Sequence, residues 1–352
     1  MDMIKNKETM LAAVMTAPGK LELREFPKPK VNPEYILVRI QACAICTWEQ
    51  RVFSGLQKAS FPLVGGHEIV GEIEAIGEGV PSYFKIGDQV SMLETYCGKC
   101  EWCRRGFPNL CSERPGKYEY MNIGGSWGFS QYVNLHASAV HRFPRRISNT
   151  VGAFFEPLAC AIHAARQAEI SLAEDVVIIG GGPMGMLNLL VAKKCGARVI
   201  LNELVGKRLE KGRLLGADEL VDASKTDPIA RVIELTNGKG ADVVIVAVGL
   251  ETANEQALKM IAPYGKIVLF SSAHPAKPML IDPNDIHRRE YRVLGAVSKT
   301  QEDALISCRM LAYGLVDPSP LIDTVKPMTE ILSAMQRAVE PDSYRVIVEP
   351  FA

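Results

Sequence analysis

Four cysteines fall within fifteen residues, Cys97-Gly-Lys-Cys100-Glu-Trp-Cys103 and then Cys111, spaced C-x2-C-x2-C-x7-C. Short loops of this kind aim four sulfurs at one centre, and four thiolates saturate a tetrahedral zinc ion, leaving no position for a substrate. The expected metal is therefore structural, a staple for a lobe of about residues 94–113. A disulfide knot or plain core thiols are the competing arrangements, with an iron–sulfur cluster a lesser one.

A second donor set is scattered along the chain. Cys46 lies in Ala42-Cys43-Ala44-Ile45-Cys46-Thr47, His67 and Glu68 in Gly65-Gly66-His67-Glu68, and Glu156 in Phe154-Phe155-Glu156-Pro157. A thiolate, an imidazole and a carboxylate make a zinc set with a position left for water or substrate. Taken singly, each has a plainer use: a buried thiol, a core histidine, an acid in a first helical turn. His136, His141, His274 and His287 have no partner motif, and Cys43, Cys160, Cys195 and Cys308 sit in apolar settings expected of core thiols.

The third chemical signal is Gly180-Gly181-Gly182-Pro183-Met184-Gly185, a G-x-G-x-x-G turn after the apolar run Val176-Val177-Ile178-Ile179. Gly180 permits the tight turn, Gly182 the approach of a pyrophosphate, and Gly185 close packing of helix on strand. Pro183 and Met184 open a helix whose amides face the phosphates. Glu203, at the end of the next strand, would accept ribose hydroxyls and repel a 2′-phosphate, which favours NAD over NADP. Lys207 and Arg208 follow closely and could meet a phosphate; Val248 sits just past a third strand, Asp242–Ala247.

These sites need scaffolds of two textures. The first half reads as short strands with Gly and Pro punctuation, at 36–40, 69–76 and 89–92. From about Glu174, apolar strands alternate with helices: strands at 176–179, 198–202, 242–247, 267–270 and 292–294, helices from about Met184 and at 207–215. That alternation makes βαβ units and a parallel sheet of roughly six strands. The tail returns to a helix at 301–313 and a strand at 344–348.

Composition sets bounds. The 352 residues carry 40 Lys+Arg against 40 Asp+Glu, 47% hydrophobic and 23% charged residues, and nine cysteines. Zero net charge argues against nucleic acid or an anionic membrane as partner. No apolar stretch reaches the length of a membrane span. The run Met1-Asp2-Met3-Ile4-Lys5-Asn6-Lys7 lacks the apolar core of a signal peptide, and reduced cysteines fit the cytoplasm.

Together the motifs resemble the zinc-dependent medium-chain alcohol dehydrogenases from about Leu11 to Val348. Gly66-His67-Glu68, Gly71, Gly77 and Val80 match that family's GHE-x2-G-x5-G-x2-V, and Gly87-Asp88-Gln89-Val90 its G-D-x-V strand. Glu156-Pro157-Leu158 with His163 downstream resembles the polyol (sorbitol) and threonine dehydrogenase branch. The resemblance implies an α/β protein. A GroES-like β-rich catalytic domain with a structural zinc lobe would span 1–158 and 297–352, and a Rossmann, doubly wound NAD domain 159–296, with the substrate in the cleft between them. It implies a catalytic zinc on Cys46, His67 and a carboxylate, Glu68 or Glu156, beside the structural zinc on Cys97, Cys100, Cys103 and Cys111: two zinc ions per chain. It also implies contact of Arg345 with the cofactor pyrophosphate, and a homo-oligomer, dimer or tetramer. The small-molecule substrate would be a secondary alcohol (a polyol, cyclitol or sugar), oxidised to its ketone.

The chain departs from many relatives where they read C-G-[ST]-D-x-H. It reads Cys46-Thr47-Trp48-Glu49-Gln50-Arg51. Trp48 replaces the hydroxyl that would relay the alcohol proton and cannot accept one; Thr47, or water on a glutamate, is left to substitute. Trp48 is a pocket wall or a core aromatic. Arg51 holds a cofactor phosphate or an anionic substrate group, or lies on the surface. Trp127 is a pocket residue or core. Two other functions compete: a zinc-free NADPH enone or quinone reductase of the same superfamily, and a nucleotide-binding sensor or scaffold without turnover.

Overall fold

The computed structural model describes residues 8–114, 119–273 and 276–352. Met1–Lys7, from which the absence of a signal peptide was read, and His274 lie outside the described residues. The chain divides into two compact units, residues 1–156 with 300–352, and residues 157–299.

In the first unit, one sheet runs in the order Lys20–Pro27, Thr9–Ala17, Leu63–Val64, Ile123–Gly125, Glu119–Tyr120. The other runs Val140–Arg142, Gln89–Met92, Glu68–Ile76, Tyr35–Ala44, Arg345–Glu349, Ile322–Pro327, with Tyr132–His136 also paired to Tyr35–Ala44. The inner faces close one core, with Met10, Val14, Ile36, Val38, Ile69, Val133 and Val346 among its members. The register of this second sheet assembles a site. Ala44 pairs with Glu68 and with Ile347, both antiparallel. Cys46, two residues beyond Ala44, therefore reaches the same sheet end as His67 and Glu68, which open one neighbouring strand, and Arg345, which opens the other.

Gln301–Ala312 is held at its start by a capping box between Thr300 and Asp303. His141, on strand Val140–Arg142, is buried, and its ring centroid lies 5.4 Å from that of Phe155. Burial pushes its imidazole down to about 4 from 6.5, against an opposing hydrogen bond from Gln301. Unfolding then takes up a proton between those two values, so stability present above pH 6.5 falls as pH drops toward 4, by roughly 3 kcal/mol in all. Urea midpoints measured at pH 7 and pH 4.5 should differ less in His141→Phe than in the unmodified protein.

The second unit is a six-stranded sheet, parallel throughout, ordered Glu219–Asp222, Arg198–Glu203, Asp175–Ile179, Ala241–Val246, Ile261–Leu269, Arg292–Gly295. Numbered along the chain this order is 3-2-1-4-5-6, the dinucleotide-binding arrangement whose crevice lies at the carboxyl ends where strand order reverses. Glu219–Asp222 is the strand the periodicity did not show: Glu-Leu-Val-Asp has two acids in four residues and too short an apolar signal. Among the described residues, no helix is long and apolar enough to cross a membrane.

Candidate active site and metal centres

The cysteine lobe is built from a one-turn helix, Glu101–Arg104, and the 3-10 turn Pro108–Leu110. Cys97, Cys100, Cys103 and Cys111 converge, with sulfur separations of 3.9 Å (97 to 103), 3.8 Å (100 to 111) and 3.5 Å (97 to 111). Ligands ~2.3 Å from a tetrahedral ion would lie roughly 3.8 Å apart, so the cage has the right size for zinc. Backbone amides also serve the sulfurs: Cys100 N–H donates to Cys97 Sγ at 3.2 Å, and amide bonding, Cys103's first, pulls the Cys100 thiol down to about 5. All nine cysteines are free of disulfides.

At the sheet end, one donor atom each from Cys46, His67 and Glu68 lies within 4.8 Å of the others. Cys46 and His67 are partly exposed while Glu68 is fully buried, so the group opens to one side. Among the described residues, Glu68 Oε2 has no hydrogen-bond partner. A buried carboxylate oxygen left this way fits a cation better than an apolar core. Burial pushes Glu68 up to about 7; Arg345 opposes this and the Glu156 charge adds to it. Burial likewise raises Cys46, with Glu68 adding and His67 opposing. For His67, burial alone would lower the imidazole, but Glu49 and Cys46 together hold it well above its ordinary value.

Glu49 was not singled out in the sequence. It is fully buried on helix Thr47–Phe53, and its Oε1 lies 2.9 Å from His67 Nδ1 while accepting the Gly66 amide, also at 2.9 Å. A carboxylate on the far nitrogen fixes the ring's tautomer and leaves Nε2 for a metal. The available signal was its place three residues after Cys46, where the family pattern C-G-[ST]-D-x-H has an acid.

Arg345 requires a correction. Expected at a pyrophosphate, it is 1% exposed and enclosed in the first unit. Its Nη2 pairs with Glu68 Oε1 at 2.8 Å and its Nη1 donates to Ile45 O at 3.1 Å. The register of the C-terminal strand puts it beside Glu68, a proximity that no local sequence pattern encodes. Trp127 is likewise not a pocket wall. It is fully buried, edge-on to Phe26 and Tyr120, and its indole N–H donates to Ile123 O at 3.0 Å. Glu156, in the first turn of helix Phe155–Gln167, is buried but stands outside the group that contains Cys46, His67 and Glu68. Thr47 and Arg51 are partly exposed on the helix that follows Cys46, and Trp48 leans on the core of the first unit.

In the second unit the glycine turn has the geometry the motif requires. Gly180 has φ +99°, and a Cβ on Gly185 would stand 1.8 Å from Gly180 O. Gly182 caps helix Pro183–Lys194. A cavity of about 370 Å³ opens there, lined by Gly180, Gly182, Glu203, Arg208, Val248 and Leu250 among others. Pro183, Met184 and Gly185 build the helix's first turn and do not line it. Glu203 is engaged by the backbone around it: Oε2 accepts the Gly181 amide at 2.6 Å, and Oε1 the Leu204 and Val205 amides at 2.7 and 3.0 Å. Arg208 Nη1 stands 3.7 Å from its Oε2.

Residues 32–145 match the alcohol dehydrogenase GroES-like domain and residues 183–308 the zinc-binding dehydrogenase domain. The chain is 31% identical to D-arabitol-phosphate dehydrogenase of Enterococcus avium, over 97% of this chain and 98% of that one. It is 30% identical to a sorbitol dehydrogenase of Halalkalibacterium halodurans, over 94% of this chain and 96% of that one. A zinc-binding dehydrogenase from Sinorhizobium meliloti 1021, solved bound to NADP, superposes with a TM-score of 0.90 at 26% identity, covering 98% of this chain and 100% of that one. The chain belongs to the zinc-dependent medium-chain alcohol and polyol dehydrogenase family. It is an alcohol–ketone oxidoreductase.

Proposed function

We propose that the protein oxidises a secondary alcohol of the polyol, cyclitol or sugar class to its ketone with NAD, using one zinc ion on Cys46, His67 and a glutamate and a second in the cysteine lobe. The observation that carries this reading is the meeting of Cys46, His67 and Glu68 at one sheet end. Zinc held there supplies Lewis acidity, which lowers the pKa of an alcohol hydroxyl much as it brings water toward about 7. Glu49 orients His67; Arg345 balances the charge of Glu68. NAD⁺ bound at the glycine turn would supply the hydride acceptor, and with the hydroxyl proton passing to solvent one alcohol and one NAD⁺ would balance to one ketone, one NADH and one H⁺. Trp48 has no acceptor for that proton, so Thr47 or water on a glutamate carries it. The polyol-class substrate is supported by Glu156-Pro157-Leu158 and by the names of the two relatives. A dimer or tetramer is supported by the open edge strand Arg292–Gly295, and a cytoplasmic setting by nine free cysteines. NADH formation over a panel of polyols and sugar alcohols, with and without chelator, tests the activity. Chelator-sensitive turnover is expected; NADH binding without turnover on any secondary alcohol would move the reading to a sensor.

The preference for NAD rests on Glu203, whose carboxylate lines the cavity and would face a 2′-phosphate. Glu203→Ala should remove that charge beside Arg208 and raise the NADP-to-NAD ratio of kcat/KM by roughly tenfold or more, about 1.4 kcal/mol. An unchanged ratio would mean that Glu203 serves only the backbone of its own turn.

A further inference from the structure

Trp127 combines two features that rarely coincide. It is among the largest fully buried side chains, and its backbone has φ +58°, a conformation that bulky residues adopt only when the surroundings enforce it. The enforcement is visible: the indole is wedged between Phe26 and Tyr120, its N–H is taken by Ile123 O, and Ser130 Oγ caps the Trp127 carbonyl at 2.6 Å. The strained turn then delivers three consecutive amides to one target. Trp127 N–H donates to Val64 O at 3.1 Å, Phe129 N–H to Gly65 O at 3.0 Å, and Gly128 N–H to Gly66 O at 2.9 Å. Those acceptors are the three residues immediately before His67. The contact is backbone on backbone, since a Cβ on Gly128 would lie 2.2 Å from Gly66 O and one on Gly66 only 2.8 Å from the Phe129 nitrogen.

We propose that Trp127–Gly128–Phe129 is a positioning element for His67: the buried indole holds a strained backbone that clasps Val64–Gly65–Gly66 from one side, while Glu49 grips Gly66 and the imidazole from the other. The inference rests on the proposed metal centre of Cys46, His67 and Glu68 and assigns the clasp to its metal retention. Trp127 acts through the Gly66 backbone, by way of the Gly128 amide. The strain serves aim: relaxing Trp127 to an ordinary φ would turn the amide of Gly128 away from Gly66, and the Gly66 backbone would lose this support while Glu49 still accepts its amide.

The test is zinc retention against a chromophoric chelator, read on the zinc equivalent that Cys46→Ala removes, with the cysteine-lobe zinc as internal reference. Trp127→Gly, which removes the anchor and frees φ, and Gly128→Ala, which keeps the anchor but blocks the contact, should each weaken retention about 10- to 100-fold, the range usual for lost supporting contacts around a metal. Trp127→Phe should stay within about threefold of the unmodified protein. Leu135→Ala, a core truncation on the strand Tyr132–His136 that pairs with the far end of Tyr35–Ala44, should destabilise the fold and leave retention unchanged. In the unmodified protein, zinc loading should slow amide exchange at Gly128 and Phe129, since coupling between clasp and metal is reciprocal; this readout stands even if the variants do not fold. Equal retention in Trp127→Gly and Leu135→Ala, or exchange at those two amides indifferent to zinc, would overturn the clasp. Absence of the Cys46-dependent zinc in the unmodified protein would instead overturn the metal centre on which it rests.

Discussion

Cys46→Ala is expected to lower kcat/KM by at least about 10³-fold, roughly 4 kcal/mol of transition-state stabilisation, while the protein stays folded. The selectivity follows from where Cys46 sits. It is the residue before helix Thr47–Phe53, and its side chain makes no capping hydrogen bond there. It is only partly buried, so removing sulfur leaves neither a deep cavity nor an orphaned backbone group. What is lost is one of the three donors that lie within 4.8 Å of one another. Zinc analysis should fall by one equivalent, with the lobe of Cys97, Cys100, Cys103 and Cys111 still loaded, because that cage shares no ligand with the other. An active variant with the full zinc complement would refute the assigned centre.

Arg345→Met is expected to destabilise the first unit by about 3–5 kcal/mol, the cost of leaving one member of a buried ion pair alone. Both partners are sealed, at 1% and 0% side-chain exposure. Arg345 also donates to Ile45 O, so its loss frees a buried carbonyl as well as the Glu68 carboxylate. The double change Arg345→Met with Glu68→Gln removes both charges and should recover much of the loss, which is the signature of pairing as opposed to mere packing. Urea unfolding of zinc-free protein measures this without interference from the metal. A single variant within about 1 kcal/mol of the unmodified protein would show the charge of Glu68 to be neutralised by a proton instead of by Arg345.

Where chemistry is carried by neighbours along the chain, the sequence was enough. The four-cysteine run, the glycine turn with Glu203, and the parallel strands behind them were legible because each rests on spacing within one or two elements. The site's supporting residues were less so. Glu49 was visible only as an acid at a family position, and its grip on both Gly66 and His67 depends on a helix turning back over a loop. The resemblance implies a pyrophosphate contact for Arg345; strand pairing sends it to Glu68 instead. For Trp127 the sequence admits a pocket or the core, since nothing in Gly125-Ser126-Trp127-Gly128-Phe129 announces that its ring faces inward.

By itself the sequence determined the fold class, the dinucleotide turn and the cysteine cage, since these are set by periodicity, by glycine's freedom of φ, and by short-range ligand spacing. Only the tertiary structure decided which distant side chains meet. Cys46, Glu68 and Arg345 come together through two antiparallel registers, Ala44 on Glu68 and Ala44 on Ile347. Register is fixed by how whole strands bury their apolar faces, and one residue of slip would turn each of these groups to the other side of the sheet.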